Sequence, residues 1–478
     1  MKSRKNNGDN KFNTNLCSDK MTFDECELAI LRNAIDESDK QQSEKMANSE
    51  AVVHMIQILE DFIRKKKCVC YGGTAINNIL PKHAQFYNRD FEVPDYDMYA
   101  PRALEYAKEL ADIYLKSGFK EVEAKSGVHH GTFKVFVNFI PIADITYMNP
   151  KIFKAISKDS VKINNILYAP PDFLRMGMYL ELSRPLGDVS RWEKVMKRLI
   201  LLNKYRPLKT KNCNRITSSY KRTKTYYVTR DTLVEQGVVF FGGYAAGFYS
   251  GYKTDEANIV RTSDFDVLSD EPNKCANALV EKLESMNLNK VRLIRHNAIE
   301  EIVPEHIEVK VDSESVAFIY KPIACHNYNS IYIQDKEIKV ATIDTMLSFY
   351  LAFYYSNEPH FSKERILCMA EFLFKVEQKN RLEQKGVLKR FSIKCVGKQP
   401  TIETMRADKM DKFKELKTKR GTREYDMWFL QYRPTGSSRH TRKNREPIEN
   451  GKVKDKEPEI RNHKGKEKSK IDESDYLF

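Results

Sequence analysis

Three carboxylates and a pair of glycines hold most of the chemistry this sequence can offer. Asp95 and Asp97 stand one residue apart in "EVPDYDMYAP", and side chains at i and i+2 of a strand share one face, about 7 Å apart along it. One or two divalent ions could draw such a pair together. Taken alone, the spacing is also that of an exposed strand end, where Asp is common. Upstream, "CVCYGGTAINNIL" reads as a short strand, a turn at Gly72 and Gly73, and a helix opening on Thr74. That arrangement presents backbone N–H groups and a helix N-terminus to an anion. Downstream, "TFKVFVNFIPIADITYM" is an alternating apolar run that ends at Asp144. Read as one strand over 132–144, it lets Asp144 face Asp95 and Asp97 from a neighbouring strand. Mg²⁺ takes hard oxygen ligands and leaves positions to water and phosphate. Three carboxylates can hold two such ions, one activating a hydroxyl and the other stabilising a leaving pyrophosphate. With Gly72, Gly73 and the Thr74 hydroxyl on the β- and γ-phosphates, this is the equipment of nucleotidyl transfer.

Residues near these motifs carry less weight. Lys134 and Asn138 share strand parity with Asp144 and would turn toward it along a regular strand, which Pro141 interrupts. His129 and His130, before Gly131 at a turn, read as surface residues. Cys68 and Cys70 read as core strand residues.

The elements that must position these groups occur twice. "VVFFGGYAAGFYS" matches "CVCYGGTAINNIL", "RTSDFDVLSD" matches "VPDYDMYAP", and "VAFIYKPIACHNY" matches "FVNFIPIADITYM", in the same order and at an offset of about 170 to 181 residues. The copy is unequal. It keeps Gly242, Gly243, Asp264 and Asp266, but this alignment sets Cys325 against Asp144 and Tyr244 against Thr74. A thiol is a poor ligand for a hard cation, so one active lobe and one degenerate lobe are expected. The predicted class is α+β, two tandem lobes each a mixed sheet with helices. "EAVVHMIQILEDFIRKKK" is an amphipathic helix leading into the first lobe, and "PPDFLRMGMYLELS" and "VSRWEKVMKRLILLNKY" are helices following it. The second of these carries Arg191, Lys194, Lys197 and Arg198 off its apolar face, where they are either solvated or track RNA. The expected organisation is a mobile arm over 1–45 with one short docking helix, a catalytic lobe over 46–205, a basic linker over 206–228, a degenerate lobe over 229–395 and a largely disordered charged tail over 396–478. In the linker, Lys and Arg alternate with Tyr205, Tyr220, Tyr226 and Tyr227, the composition of a solvated tether or a single-strand binding segment. The tail piece "YDMWFLQYRPTG" is aromatic enough to dock on the body.

Composition bounds the reading. The 478 residues are 41% hydrophobic, with a net charge of +15 that favours a polyanionic partner. No run approaches the roughly 18 apolar residues of a membrane span, and the N-terminal stretch has no apolar signal core. Nine cysteines without a Cys-x-x-Cys pair support neither a disulfide scaffold nor a zinc ribbon, as expected of a cytosolic or nuclear chain.

The motifs "YGGTAIN", "PDYDMYAP" and "IADITYMNP" and the helix "VSRWEKVMKRLILLNKYRPL" resemble those of the large-DNA-virus poly(A) polymerase catalytic subunits, from poxviruses, asfarviruses and giant viruses. The first three are also those of the wider polymerase-beta-like nucleotidyltransferases. The resemblance covers roughly residues 50–205, and the second lobe more loosely. It implies template-independent transfer of AMP from ATP to an RNA 3′ hydroxyl, with Mg²⁺ or Mn²⁺ on Asp95, Asp97 and Asp144 and the triphosphate on Gly72, Gly73 and Thr74. It further implies action on viral mRNA in the host cytoplasm, packaging in the virion, and a second copy or a processivity subunit as partner, with no membrane. Two other readings stand beside it: a nucleotidyltransferase of other base specificity, such as a uridylyltransferase, and a non-catalytic RNA-binding module on this fold.

Overall fold

A computed structural model describes residues 12, 14–88, 93–210, 213, 223–252, 264–287, 290–358 and 361–436. The chain starts with two capped helices. α1 (Phe23–Ala47) opens on a capping box in which Thr22 and Glu25 satisfy each other's backbone, and it buries only Cys26 and Ala47. α2 (Glu50–Lys66) is capped by Ser49 and buries Val52, Met55, Leu59, Phe62 and Ile63, the three- and four-residue spacing of one face. The arm expected over 1–45 therefore contains a 25-residue helix rather than one short docking piece.

The first lobe then runs β1 (Val69–Tyr71), α3 (Gly72–Ile79), β2 (Tyr96–Ala100), α4 (Ala103–Lys116), β3 (Val122–Ser126), β4 (Thr132–Val137) and β5 (Ile140–Tyr147). It continues with α5 (Pro150–Asp159), β6 (Val161–Ile163), β7 (Ile166–Tyr168), α6 (Pro171–Leu182) and α7 (Trp192–Tyr205). The second lobe comprises α8 (Lys224–Glu235), β8 (Val239–Phe240), α9 (Gly243–Phe248), β9 (Phe265–Leu268), α10 (Pro272–Glu284), β10 (Val291–His296), β11 (His306–Val311) and β12 (Glu314–Tyr320). β13 (His326–Ile333), β14 (Lys336–Ala341), α11 (Ile343–Ser356), α12 (Lys363–Asn380) and β15 (Cys395–Val396) complete it. Residues 211–212 and 214–222 of the basic linker lie outside the described residues, and its end is already the first turn of α8.

Among the described residues the strands form two sheets, ordered β16-β3-β4-β5-β2-β1-β7-β6 and β10-β11-β12-β9-β8-β14-β13-β15, where β16 is a short C-terminal strand (Gln431–Tyr432). Without β16 and β15 the two orders are the same. The directions repeat too: β2 runs parallel to β5 and β1 to β7, as β9 does to β12 and β8 to β14. The internal repeat is thus a repeat of topology. Two equivalent helices, α6 and α11, pack against each other and join the lobes. Beside them Arg390, buried, donates to Asp344 at 2.7 Å and meets Glu377 at 2.6 Å, while the Tyr179 hydroxyl donates to Glu377 at 2.7 Å. This network answers its own buried charges, and removing one member would leave another unpaired.

Three further expectations are corrected. Residues 132–144 are not one strand: β4 and β5 form a hairpin whose two turn residues, Asn138 and Phe139, both have left-handed φ, +51° and +67°. The segment 396–436 is not a disordered tail. It folds as α13 (Ile402–Leu416), α14 (Arg423–Phe429) and β16, and β16 extends the first sheet by pairing with β3. Tyr432 donates to Asp112 at 2.7 Å, Lys108 meets Asp426 at 2.6 Å, and the aromatic piece does dock, with Trp428 4.2 Å from His130. The cysteines also pair, as Cys17–Cys26, Cys213–Cys368 and Cys325–Cys395. Their scattered spacing gave no motif by which to foresee it. Cys68 and Cys70 are buried and free, as read.

Candidate active site

β1 and β2 are antiparallel with Tyr71 opposite Asp97, so the chain turns at Gly72 directly over that carboxylate. Gly72 has φ +71°, and a Cβ there would strike Asp97 Oδ2. Only glycine meets both demands. Helix α3 opens at once, at Gly72 rather than at Thr74, without a side-chain cap, so its first N–H groups are open to an anion. Thr74 is buried, and its hydroxyl donates to the Asp95 carbonyl at 2.5 Å. Its proton therefore fixes the lead into β2 instead of pointing at a phosphate.

The register of β2 and β5 places Asp97 beside Asp144, and that of β4 and β5 places Lys134 beside Asp144 on the other side. Lys134 Nζ donates to Asp144 Oδ2 at 2.8 Å. Lys134 thus reaches the site because the hairpin folds back, not because it lies farther along the same strand. Asn138 is left at the hairpin tip, its N–H on the Glu121 carbonyl, four residues or about 13 Å along the strand from Lys134. It is not part of the site. His129 and His130 lie in the turn between β3 and β4, as expected. Around the carboxylates the floor is polar and aromatic: Tyr71 and Thr132 each lie 3.0 Å from the Thr146 hydroxyl, and Tyr99 stacks on Tyr71 at 3.8 Å.

Burial pushes the Asp97 carboxyl well above its usual range, and the charges of Asp95 and Asp144 add to the shift, while Lys134 and Arg191 oppose it. Burial also raises Asp144, against the Lys134 ammonium. Among the described residues no three acidic, His or Cys side chains converge in metal-holding geometry. The donor set nonetheless suits a hard divalent cation: three carboxylates at one strand crossing, two of them raised by burial, with one ammonium already standing in on Asp144.

From the basic face of α7 the structure brings two residues to the site. Arg198 lies over the rings of Phe86 and Tyr87, 5.2 and 5.6 Å from their centroids, and its Nη2 donates to the Tyr87 hydroxyl at 2.5 Å. A Cβ on Gly73 would come within 3.0 Å of that same nitrogen, so the guanidinium stands at the mouth of α3. The loop carrying Phe86 and Tyr87 is held by Asn77, whose Oδ1 accepts both their N–H groups. Arg191, just before α7, acts on Asp97 and lies 3.4 Å from Glu181. Lys197 is solvated and paired with Glu193. Helical spacing could not tell Arg198 from Lys197, because the loop that seats Arg198 is remote in sequence.

In the second lobe Asp266 stands beside Phe318 in the β9–β12 register. The structural counterpart of Asp144 is therefore Phe318, which is buried, and not Cys325, which lies beyond the end of β12. Across β11, Glu308 occupies the place of Lys134.

Residues 57–188 match the poly(A) polymerase catalytic subunit family. They span β1 to α6 and include all three carboxylates. Curated relatives bear the name putative poly(A) polymerase catalytic subunit. One from African swine fever virus is 34% identical over 34% of this chain and 35% of its own. One from Acanthamoeba polyphaga mimivirus is 28% identical over 54% of this chain and 46% of its own. These alignments thus span about a third to just under half of the relatives' length. The crystal structure of the Megavirus polyadenylate synthase superposes with a TM-score of 0.73 over 91% of this chain and 89% of that one, at 20% identity. The fold, both lobes included, is thus that of the synthase.

Proposed function

We propose that this protein is a metal-dependent poly(A) polymerase that adds AMP from ATP to the 3′ end of RNA. One observation carries the reading. The first lobe sets Asp97 beside Asp144 and under the Gly72 turn, while its topological copy has Phe318 where the third carboxylate would be. Asp95, Asp97 and Asp144 would hold Mg²⁺ or Mn²⁺, which would supply positive charge to the attacking hydroxyl and the leaving pyrophosphate. The other roles belong to the chain itself. The open N–H groups of α3 and the Arg198 guanidinium bind the triphosphate, Lys134 orients Asp144, and Thr74 holds Asp95 in place. Little covalent chemistry is asked of the protein, and the rate comes from positioning and charge. The net charge of +15 supports an RNA partner. Viral mRNA in the host cytoplasm, a place in the virion and a second subunit accord with the same reading. Among the described residues no helix is long and apolar enough to cross a membrane.

Primer extension with each of the four NTPs, with and without Mg²⁺ or Mn²⁺, tests the proposal. Metal-dependent tails from ATP are expected. A preference for UTP would give the protein another base specificity, and salt-dependent RNA binding without incorporation would make it a binding module.

A further inference from the structure

Beyond the carboxylates, where the first lobe meets the second, lies a cavity of about 420 Å³, within the size range of small-ligand sites. Tyr147, Asn149 and Ile152 line it from the first lobe; Ile299 and Glu300, from the β10–β11 loop, and Ser356, from the end of α11, line it from the second. Tyr147 is three residues past Asp144 on β5, about 10 Å along the strand and on its other face. Tyr99, two residues past Asp97, feels the charge of Glu300. The cavity therefore lies at the end of β5 beyond Asp144, on the boundary that joins the lobes.

Its polar wall has a fixed sense. The Asn149 side-chain oxygen caps α5 by accepting the Lys151 N–H at 2.9 Å, so the amide NH₂ is the end left to donate. Next to it the Glu300 carboxylate accepts the Asn149 backbone N–H and, with two oxygens, can accept more. Glu300 holds a left-handed φ of +50° in the loop that carries it across the lobe boundary. A donor beside an acceptor is the complement of an amino group beside a ring nitrogen, the edge adenine presents. Guanine offers O6, an acceptor, where adenine offers its amino group, and uracil inverts the pattern as well; cytosine presents the same pair on a single ring, so these two groups separate adenine from guanine and uracil. Tyr147 supplies a ring for stacking and Ile152 and Ile299 supply apolar walls.

We propose that this cavity binds an adenine base and that Glu300 and Asn149 are positioned to select it over guanine and uracil. The inference rests on the nucleotidyl transfer proposed above and names the base-reading residues of that site. The base could be that of the incoming ATP or that of the RNA 3′-terminal adenylate, and two arms of one experiment separate these sources.

In the first arm, kcat/KM is measured for ATP and GTP on an oligo(A) primer. In the second, ATP is fixed and primers ending in A or G are compared. The variants are Glu300→Gln, which can present either a donor or an acceptor, and Asn149→Asp, which keeps the helix cap and removes the donor. Loss of one hydrogen bond, charged at Glu300 and neutral at Asn149, predicts that A-over-G discrimination falls about tenfold in Glu300→Gln and about fivefold in Asn149→Asp. A fall in the first arm assigns the cavity to the nucleotide, and a fall in the second assigns it to the primer end. Equal losses for A and G in both arms, or no loss in either, overturn the proposal. If wild-type protein incorporates no nucleotide, it is the reaction that fails; equilibrium binding of adenosine and guanosine nucleotides to wild-type and variant proteins then still tests the cavity, and equal affinities overturn it.

Discussion

The two lobes carry the same seven strands in the same order, yet only one holds a complete set of charges. In the first, Asp97 has Asp144 at its side and Lys134 beyond. In the second, Asp266 has Phe318 at its side and Glu308 beyond. What the second lobe kept is also informative. A Cβ on Gly242 would strike Asp266, as one on Gly72 would strike Asp97. The close turn over the second aspartate is thus a feature of how the strands cross, present with or without a third carboxylate beside it. The residue on β5 or β12 is what differs, and the catalytic assignment turns on it.

The largest expected effect comes from that residue. Asp144→Asn should lower primer extension by at least about 10³-fold, the scale of losing an electrostatic group at a reaction centre. Asp264→Asn should change it less than twofold. Equal losses in the two lobes would end the comparison.

Grafting the missing charge into the second lobe should cost stability. Phe318→Asp buries a carboxylate with no cation across from it, and about 4 kcal/mol is the usual scale for an uncompensated buried charge. Adding Glu308→Lys should recover part of this by reproducing the Lys134–Asp144 pair. Glu308→Lys alone should also destabilise, because Glu308 accepts from Ser315 and lies 3.0 Å from His296. The interaction energy of this double-mutant cycle, from denaturant midpoints, is the quantity to measure. A value near zero would mean that Lys134 does little for Asp144 in the first lobe.

Much of this was legible in the sequence, and the losses have physical causes. The repeat, both glycine turns and both aspartate pairs could be read because each is a short motif with fixed spacing. The hairpin between β4 and β5 could not, because apolar alternation runs through Asn138 and Phe139 and no glycine marks a turn that needs positive φ at both residues. That hid the reason Lys134 meets Asp144. The alignment of Cys325 with Asp144 followed the local likeness of "PIAC" to "PIAD", whereas sheet register follows hydrogen bonds and selects Phe318. The C-terminal segment was judged by its charge, but its few aromatic residues and one strand edge suffice to dock it. No spacing foretold the cysteine pairs or the seat of Arg198, since their partners are remote in sequence.

A smaller effect is expected at Asp266 of the second lobe as pH changes. Burial, with Asp264 beside it, pushes Asp266 up to about 7, against an unfolded value near 4. Between those values the folded chain binds a proton that the unfolded chain has lost. The contribution of Asp266 to stability should therefore fall as pH rises from about 4 to 7 and level off above. Asp266→Asn removes that loss and should stabilise the protein by about 2 kcal/mol at pH 8, since a buried amide still needs partners, and by little at pH 4. Melting temperatures of both proteins across this range check the sign, and a gain that grows toward acid pH would contradict it.

The smallest effect concerns the helix openings. In the second lobe Tyr244 packs against Phe240, Phe248 and Phe265, so its α9 opening is built around aromatic packing. In the first, Arg198 is held at the α3 opening by Phe86 and Tyr87. If that guanidinium binds the triphosphate, Arg198→Ala should raise the KM for ATP about tenfold, the scale of one charged hydrogen bond, with kcat reduced less and RNA affinity unchanged. Arg198→Lys should restore only part, because lysine keeps the charge but lacks the planar fork that lies on the two rings. Steady-state kinetics with ATP varied, beside RNA binding measured without nucleotide, separate the outcomes. A loss of RNA affinity with KM for ATP intact would move Arg198 from the triphosphate to the RNA backbone, and the two helix openings would then differ in partner rather than in occupancy.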